Sequence, residues 1–230
     1  RECRAIEVYD SFTAQMSTLS ENIPFKRLSP QSTLLPFDCG NADLTDYFLT
    51  SAKLDMQKLL SVTYYLESEG RTVLFFTLSN DKIAEIEQKK SGETLFSKSF
   101  FKKIKDKFGR PKHRSDYPAV KIGRFGVNRA YRHTDNHWGS RTLDFIKYWM
   151  ITENKTGCCF ITVDAYATAV GFYMKNGFRF LGEKERKGYE NWENAHPDFR
   201  AREFIDDNPT FAMYFNLLSL IDDLDLSATE

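Results

Sequence analysis

Residues 158–163 (CCFITV) form an almost uninterrupted apolar run, and this run constrains the fold more than any other feature of the chain. A strand with one face in water alternates apolar and polar side chains, whereas a strand covered on both faces does not. Residues 139–153, before the run, carry apolar side chains at helical spacing. Residues 165–175, after it, resemble a short helix that ends at Asn176-Gly177. The pattern predicts a mixed α/β fold.

Further strands for the same sheet are predicted elsewhere in the chain. β-rich runs occur at residues 25–28, 61–67, 71–79, 119–127, 178–181 and 210–218. The letters SEG at 68–70 are a hairpin signal between two of these runs, and Asn41 or Asp43 is placed to cap a helix that reaches residue 60. The predicted order is β-α-β-β, an insertion, and then β-α-β-α-β-β.

The length of 230 residues fits one domain. We expect a single domain over residues 24–230, with insertions at about 81–116 and 183–208. Residues 1–23 are interpreted as an N-terminal extension, in which Met16 is the expected ordinary start and the residues before it are non-native.

Composition narrows the classes of function. Thirty-two basic residues balance thirty-two acidic ones, which argues against a global electrostatic attraction to nucleic acid or to an anionic membrane. No apolar run approaches the roughly 18 residues that a membrane helix needs, and we expect a cytoplasmic protein without membrane contact. His133 and His137 have a metal-compatible spacing but lie in a loop-like stretch, so no metal site is predicted.

A local basic patch lies within the neutral total. Residues 98–114 contain eight Lys or Arg and one Asp. This patch is either the solvated face of an amphipathic helix with its loop, or a contact surface for a partner that carries phosphate groups.

Three motifs occur in a characteristic order: FDCG at 37–40, GRFGV at 123–127 and FYMKNGF at 172–178. In this order they resemble the GNAT superfamily of N-acetyltransferases, and in particular its toxin-type branch. The resemblance covers residues 24–182 and the final strand. It implies a mostly antiparallel central sheet with helices on both faces and a splayed strand pair that forms the slot for coenzyme A.

The resemblance also implies the site residues. Phe125, Gly126 and Val127 would pair with the pantetheine arm through backbone groups, as an added strand does. Arg132 and the later residues Gly139, Ser140 and Arg141 would form the pyrophosphate region at a helix N-terminus. The loop between residues 132 and 139 is two residues longer than the usual spacing, and it carries Asp135 and Trp138 where small residues belong.

Tyr173 matches the tyrosine that donates a proton to the departing thiolate in many such enzymes, although a purely structural core aromatic is the alternative. A general base is not identified. Glu67 and Asp164 lie near strand ends and are the candidates, but most carboxylates in such positions are simply solvated.

The resemblance implies transfer of an acetyl group from acetyl-CoA, as a co-substrate, to a primary amine by direct attack. Two alternatives stay open at this point: a toxin that acetylates aminoacyl-tRNA, and a non-catalytic GNAT-shaped binding or regulatory module. The implied partners are acetyl-CoA and an amine acceptor, with a tRNA, an antitoxin or a second copy in a homodimer as further candidates.

Overall fold

The computed structural model describes residues 23–84, 116–154, 156–199 and 208–221. The expected N-terminal extension with Met16 and the basic patch at 98–114 lie outside these ranges. Within the described part of the chain, no helix is long and apolar enough to cross a membrane.

The described chain contains seven strands and five α-helices that lie wholly within it, and residues 218–221 are also helical. The strands are β1 (Lys26–Arg27), β2 (Val62–Ser68), β3 (Arg71–Ala84), β4 (Asp116–Val127), β5 (Phe160–Tyr166), β6 (Arg179–Phe180) and β7 (Thr210–Asn216). The helices are α1 (Ala42–Asp46), α2 (Ala52–Gln57), α3 (Trp138–Thr152), α4 (Val170–Lys175) and α5 (Glu183–Ala195). A π-helical segment, Tyr47–Ser51, joins α1 to α2, and 3₁₀ turns occupy Arg129–Tyr131 and Ala167–Ala169.

The strands form one sheet in the order β1-β2-β3-β4-β5-β7-β6. The pairs β1–β2, β2–β3 and β6–β7 are antiparallel. The described residues divide into two compact units, of which the first comprises 23–79, 121–157 and 216–221 and the second comprises 80–84, 116–120, 158–199 and 208–215.

The first unit has aromatic cores on both faces of its strands. On one face Phe75 stacks on Phe48 of the π-helical segment, with 4.6 Å between ring centroids, and Phe37 meets both rings edge-on. On the other face Phe25 contacts Phe76 of β3 and Phe145 of α3. Trp149 of α3 contacts Tyr64 of β2. Helices therefore cover both faces of these strands, as the sequence predicts.

Local signals in the first unit have clear physical causes. The Asn41 side chain accepts a hydrogen bond from the Leu44 backbone N–H at 3.0 Å and begins α1. In the hairpin, Glu69 and Gly70 have φ of 50° and 73°, the left-handed values that a tight two-residue turn requires.

The second unit is organised around β5 and β7. Residues 160–163 are all buried, which confirms the buried strand predicted from the apolar run. Phe160 packs with Tyr214 in a cluster that also contains Ile83, Tyr117 and Ala119. Neighbouring residues of a strand point to opposite faces. Accordingly, Phe215 contacts a different ring, that of Phe178.

Several predicted boundaries are wrong. β3 continues to Ala84 and β4 begins at Asp116, so strand residues occupy positions 81–84, which the sequence analysis assigned to an insertion. The predicted 165–175 helix is shorter, because β5 runs to Tyr166 and α4 begins only at Val170.

The polar segment 183–208 contains a 13-residue helix, α5, which the sequence analysis missed. The helix has a mostly charged sequence, and its buried residues are Tyr189 and Trp192. Two apolar positions are too few to show a helical spacing in the sequence. Gly188 lies close to Phe211, and a Cβ there would come 3.1 Å from the Phe211 ring.

Candidate active site

The last residues of β4 are the expected pantetheine contacts, and the structure gives their glycine a packing role. Phe125 and Val127 are half-buried, and Gly126 is buried. A Cβ at Gly126 would lie 2.8 Å from Cε1 of Phe75 and 3.2 Å from Cζ of Phe37. Glycine is therefore required there by the aromatic core, whatever else the strand end binds.

Arg132, the expected pyrophosphate ligand, holds the backbone of the first unit. Its Nε donates to the Val127 carbonyl at 3.1 Å, and its Nη2 donates to the Cys39 carbonyl at 2.5 Å. The side chain thus links the end of β4 to the FDCG segment. Its Nη1 has no hydrogen bond to the described residues and is the part of the guanidinium left for a ligand.

In the loop before α3, two histidines occupy the positions with left-handed backbone conformation. His133 and His137 have φ of 55° and 45°, in the left-handed region. α3 begins directly after His137, so Trp138 has helical geometry and does not take a positive φ. His137 provides no side-chain cap, and its carbonyl accepts the Arg141 N–H at 3.1 Å.

Gly139 and Ser140 lie in the first turn of α3, whose N–H groups have no intrahelical partner. The guanidinium of Arg141 stacks over the indole of Trp138, 5.1 Å from the ring centroid. A 15-residue helix has a positive N-terminal end, and here a guanidinium stands beside it. The arrangement can bind an anion.

Tyr173 lies in the second unit and is 5% exposed. Its ring contacts Phe172 and Phe178 edge-on, with centroids 5.2 and 5.3 Å away. Burial raises the pKa of its phenol well above the ordinary value. With this pKa the phenol is protonated at neutral pH, and its hydroxyl has no hydrogen bond to any residue that the structure describes.

The NGF letters after Tyr173 fix its position through the end of α4. The Phe178 N–H donates to the Tyr173 carbonyl at 3.0 Å, and the Gly177 N–H donates to the Met174 carbonyl at 3.0 Å. Gly177 has φ of 81°. This bonding pattern is the Schellman motif, and the Tyr173–Phe178 ring contact is its usual apolar companion.

The two general-base candidates differ in their surroundings. Glu67 accepts a hydrogen bond from Lys26 at 2.6 Å, and this bond raises the pKa of the lysine. Its Oε2 is therefore already paired, whereas its Oε1 is buried without a hydrogen bond to the described residues. Asp164 is exposed on β5. Neither arrangement identifies a base.

Among the residues that the structure describes, no group of three or more His, Cys, Asp or Glu side chains is placed to hold a metal ion. His133 and His137 serve in the turns before α3.

The sequence analysis missed a pocket of about 260 Å³ in the first unit. It is lined by the FDCG segment, the start of β3 and the residues just after β4: Pro36, Phe37, Asp38, Arg71, Asn128, Arg129 and Ala130. The FDCG letters were the available signal, but nothing in the sequence indicated that Arg71 and Arg129 lie beside them.

Comparison with known proteins gives a likeness of fold. No family model matches the chain, and no curated protein matches it. Solved structures do match. AtaT in complex with acetyl-methionyl-tRNAfMet has a TM-score of 0.55 and 17% identity, over 86% of this chain and 97% of that one.

Two further structures agree with this result. A tyrosine-to-phenylalanine mutant of KacT gives a TM-score of 0.55 and 17% identity, over 87% of this chain and 98% of that one. AtaTR bound with AcCoA gives a TM-score of 0.53 and 15% identity, over 87% of this chain and 96% of that one. The likeness shows that this chain has the fold of these proteins, and it confirms the α/β architecture with a mostly antiparallel sheet predicted from the sequence.

Proposed function

We propose that this protein is an N-acetyltransferase that transfers the acetyl group of acetyl-CoA to a primary amine. The observation that carries the proposal is the phenol of Tyr173, which is buried, protonated and without a hydrogen bond to the described residues, in a chain with the fold of AcCoA-bound AtaTR.

The proposed reaction is a direct transfer. The neutral amine attacks the thioester carbonyl, a C–N bond forms, and the C–S bond breaks. Tyr173 gives its proton to the sulfur as the thiolate leaves. The amine nitrogen loses a proton to water, and water returns a proton to the Tyr173 phenolate. Like any phenol, Tyr173 is protonated throughout the usual assay range. Burial raises its pKa, which makes it a weaker acid, so the proton can pass only to a basic group such as the departing thiolate.

We propose the following contacts for acetyl-CoA. The first turn of α3, with Gly139 and Ser140, would take the pyrophosphate together with Arg141, because its N–H groups and the helix dipole favour an anion. The backbone of Phe125 and Val127 would hold the pantetheine arm, and Arg132 supports that strand end through the Val127 carbonyl.

The proposed acceptor is the α-amine of an aminoacyl-tRNA. The AtaT neighbour is described in complex with acetyl-methionyl-tRNAfMet, which is such a product. An α-amine has a pKa near ~7.7–8.0, so a large fraction is neutral at pH 7.5 and bound water suffices to accept its proton. A lysine, near ~10.4, would require a dedicated base, and none is identified here.

The proposal extends to the setting of the reaction. Acetylation of charged tRNA would place the protein in the cytoplasm as a toxin, with an antitoxin as its partner. We also propose that residues 24–230 act as one acetyltransferase domain.

The test is transfer of labelled acetyl groups from acetyl-CoA to total aminoacyl-tRNA, with deacylated tRNA as the blank. Tyr173→Phe should lower turnover about 10²-fold or more and leave acetyl-CoA affinity nearly unchanged, since general acids contribute 10²–10⁴-fold. Tyr214→Phe is the matched control, because Tyr214 is also a buried tyrosine of the second unit. It packs with Phe160, whereas Tyr173 packs with Phe178, so the two rings have different neighbours.

Equal turnover in the two variants would reduce Tyr173 to a core aromatic. Failure of the wild type to bind acetyl-CoA at millimolar concentration would refute the enzyme and favour the binding module.

A further inference from the structure

The pocket beside the FDCG segment, which we call the FDCG pocket, has a chemistry of its own. It is lined by residues 36–38, by Arg71 and by residues 128–130, all within the first unit. Its volume of about 260 Å³ lies below the ~300–1,000 Å³ of ordinary ligand sites. The space suits one functional group with the start of its carrier rather than a whole cofactor.

Several backbone polar groups around the FDCG pocket are already bonded. The Pro36 carbonyl accepts the Thr72 N–H at 3.1 Å, and the Asp38 carbonyl accepts the Arg129 N–H at 2.9 Å. The buried Asn128 side chain donates to the Thr72 carbonyl and accepts from the Ala130 N–H. A neutral polar ligand would find few partners here.

The charged side-chain donors of the lining are two guanidinium groups. Arg71 is exposed, and its side chain has no hydrogen bond or ion pair to the described residues. Arg129 lies with its Nε 3.5 Å from Asp38 Oδ2. Two arginines against one aspartate leave the pocket with a net positive charge, in a chain whose formal net charge is zero. The pocket therefore selects an anion.

The FDCG segment holds Arg129 in place. Gly40 has φ of 75°, and a Cβ there would lie 2.7 Å from Arg129 Nε and 3.4 Å from its Nη2, so the guanidinium lies directly over the glycine. Asp38 Oδ1 accepts the Gly40 N–H at 2.7 Å, which orients the carboxylate toward Arg129 with its other oxygen. Arg132 fixes the Cys39 carbonyl of the same segment. A side chain held in this way loses little entropy when it binds.

We propose that the FDCG pocket is a phosphate-binding site in which Arg71 and Arg129 grip a phosphate group carried by a larger ligand. Paired guanidinium groups match phosphate oxygens in charge and in geometry. This site is distinct from the first turn of α3 and does not depend on acetyl transfer. A phosphodiester of RNA and a phosphate monoester of a small nucleotide share this chemistry.

The experiment measures binding by full-length protein without any transfer reaction. One arm follows labelled deacylated tRNA by fluorescence anisotropy over a range of salt concentrations. The other titrates CoA and 3′-dephospho-CoA calorimetrically. The variants are Arg71→Gln and Arg129→Gln, with Arg27→Gln as the matched control because Arg27 is an exposed strand arginine of the same unit.

Arg71→Gln and Arg129→Gln should each lower the affinity for one of these ligands about tenfold. Arg27→Gln should change the affinity for either ligand less than about twofold. If the variants lower the affinity for tRNA and reduce the slope of log K against log salt by about 1, the site binds an RNA phosphodiester. Loss for CoA but not for 3′-dephospho-CoA assigns it to a small phosphate ester.

Two variants that leave the arginines in place complete the test. Asp38→Asn keeps an oxygen for the Gly40 N–H but removes the opposing charge, and it should strengthen binding severalfold. Gly40→Ala displaces the Arg129 guanidinium without changing charge, and it should weaken binding as Arg129→Gln does. Pocket variants that match the Arg27→Gln control, or an Asp38→Asn variant that weakens binding, would overturn the proposal even if acetyl transfer is intact.

Discussion

Gly126 separates two explanations of the GRFGV motif. The first requires glycine for close approach of the cofactor, and the second requires it for core packing. In the structure a Cβ at this position would lie 2.8 Å from the Phe75 ring, which is fully buried and stacked on Phe48. Gly126 is not among the positive-φ residues, so alanine suffers no backbone strain and its whole cost arises from overpacking.

The magnitude follows from this contact. Adding a methyl group to a tightly packed core costs about 1–3 kcal/mol. For a chain of this size, Gly126→Ala should lower Tm by roughly 2–12 °C. Urea denaturation followed by circular dichroism measures the loss directly, with an unchanged slope expected because the folded state stays compact.

Gly171→Ala is the matched control. Gly171 lies inside α4, and a Cβ there would meet nothing within 4 Å. Alanine is the better helix former by roughly 0.5–1 kcal/mol, so this variant should be more stable than the wild type. Two Gly→Ala changes with opposite signs would show that the Phe75 contact, and not glycine content, sets the result.

A double-mutant cycle completes the test. Phe75→Leu removes the ring atoms that a Cβ at position 126 would meet, so Gly126→Ala should cost less in that background by 0.5 kcal/mol or more. A Gly126→Ala protein with wild-type stability and reduced acetyl-CoA affinity would refute the packing argument and favour the cofactor explanation.

Two further changes test contacts of the first unit. Thr63→Val should raise the free energy of unfolding by about 1 kcal/mol, because the Thr63 side chain is 0% exposed and its hydroxyl has no hydrogen bond to the described residues; denaturant unfolding checks this, and a loss of stability would contradict it. Arg132→Lys should lower stability by about 0.5–1.5 kcal/mol, because one ammonium cannot serve the Val127 and Cys39 carbonyls together; unchanged stability with weaker acetyl-CoA binding would instead make Arg132 a phosphate ligand.

The elements that the sequence predicted well are those whose signal is local. The apolar run at 158–163 and the hairpin letters at 68–70 each carry a local signal. The hairpin is found as predicted, and the buried strand is found with its bounds moved to Phe160–Tyr166. Asn176-Gly177 ends its helix for the same reason, since the Schellman motif involves only neighbouring residues.

The features that the sequence did not predict depend on contacts between distant segments. α5 has a mostly charged sequence and was missed because its buried face consists of Tyr189 and Trp192, with Tyr189 packed on Phe211 of β7. Arg71 and Arg129 are 58 positions apart in the sequence and meet only because the FDCG segment, the start of β3 and the end of β4 line one pocket. A single sequence carries no signal for such a meeting.

The loop before α3 departs from the glycine-rich motif but still leads to the free N–H groups at the start of the helix. Glycines in a phosphate loop matter because positive φ turns successive N–H groups toward one anion. Here the left-handed positions are His133 and His137, at a cost of roughly 1–2 kcal/mol each for residues with a Cβ. The second of them is followed at once by α3, so the N–H groups of its first turn still point out of the helix end. What the missing glycines change is the strain of the loop rather than the number of donors, and the anion site depends on the helix end and on Arg141 beside it.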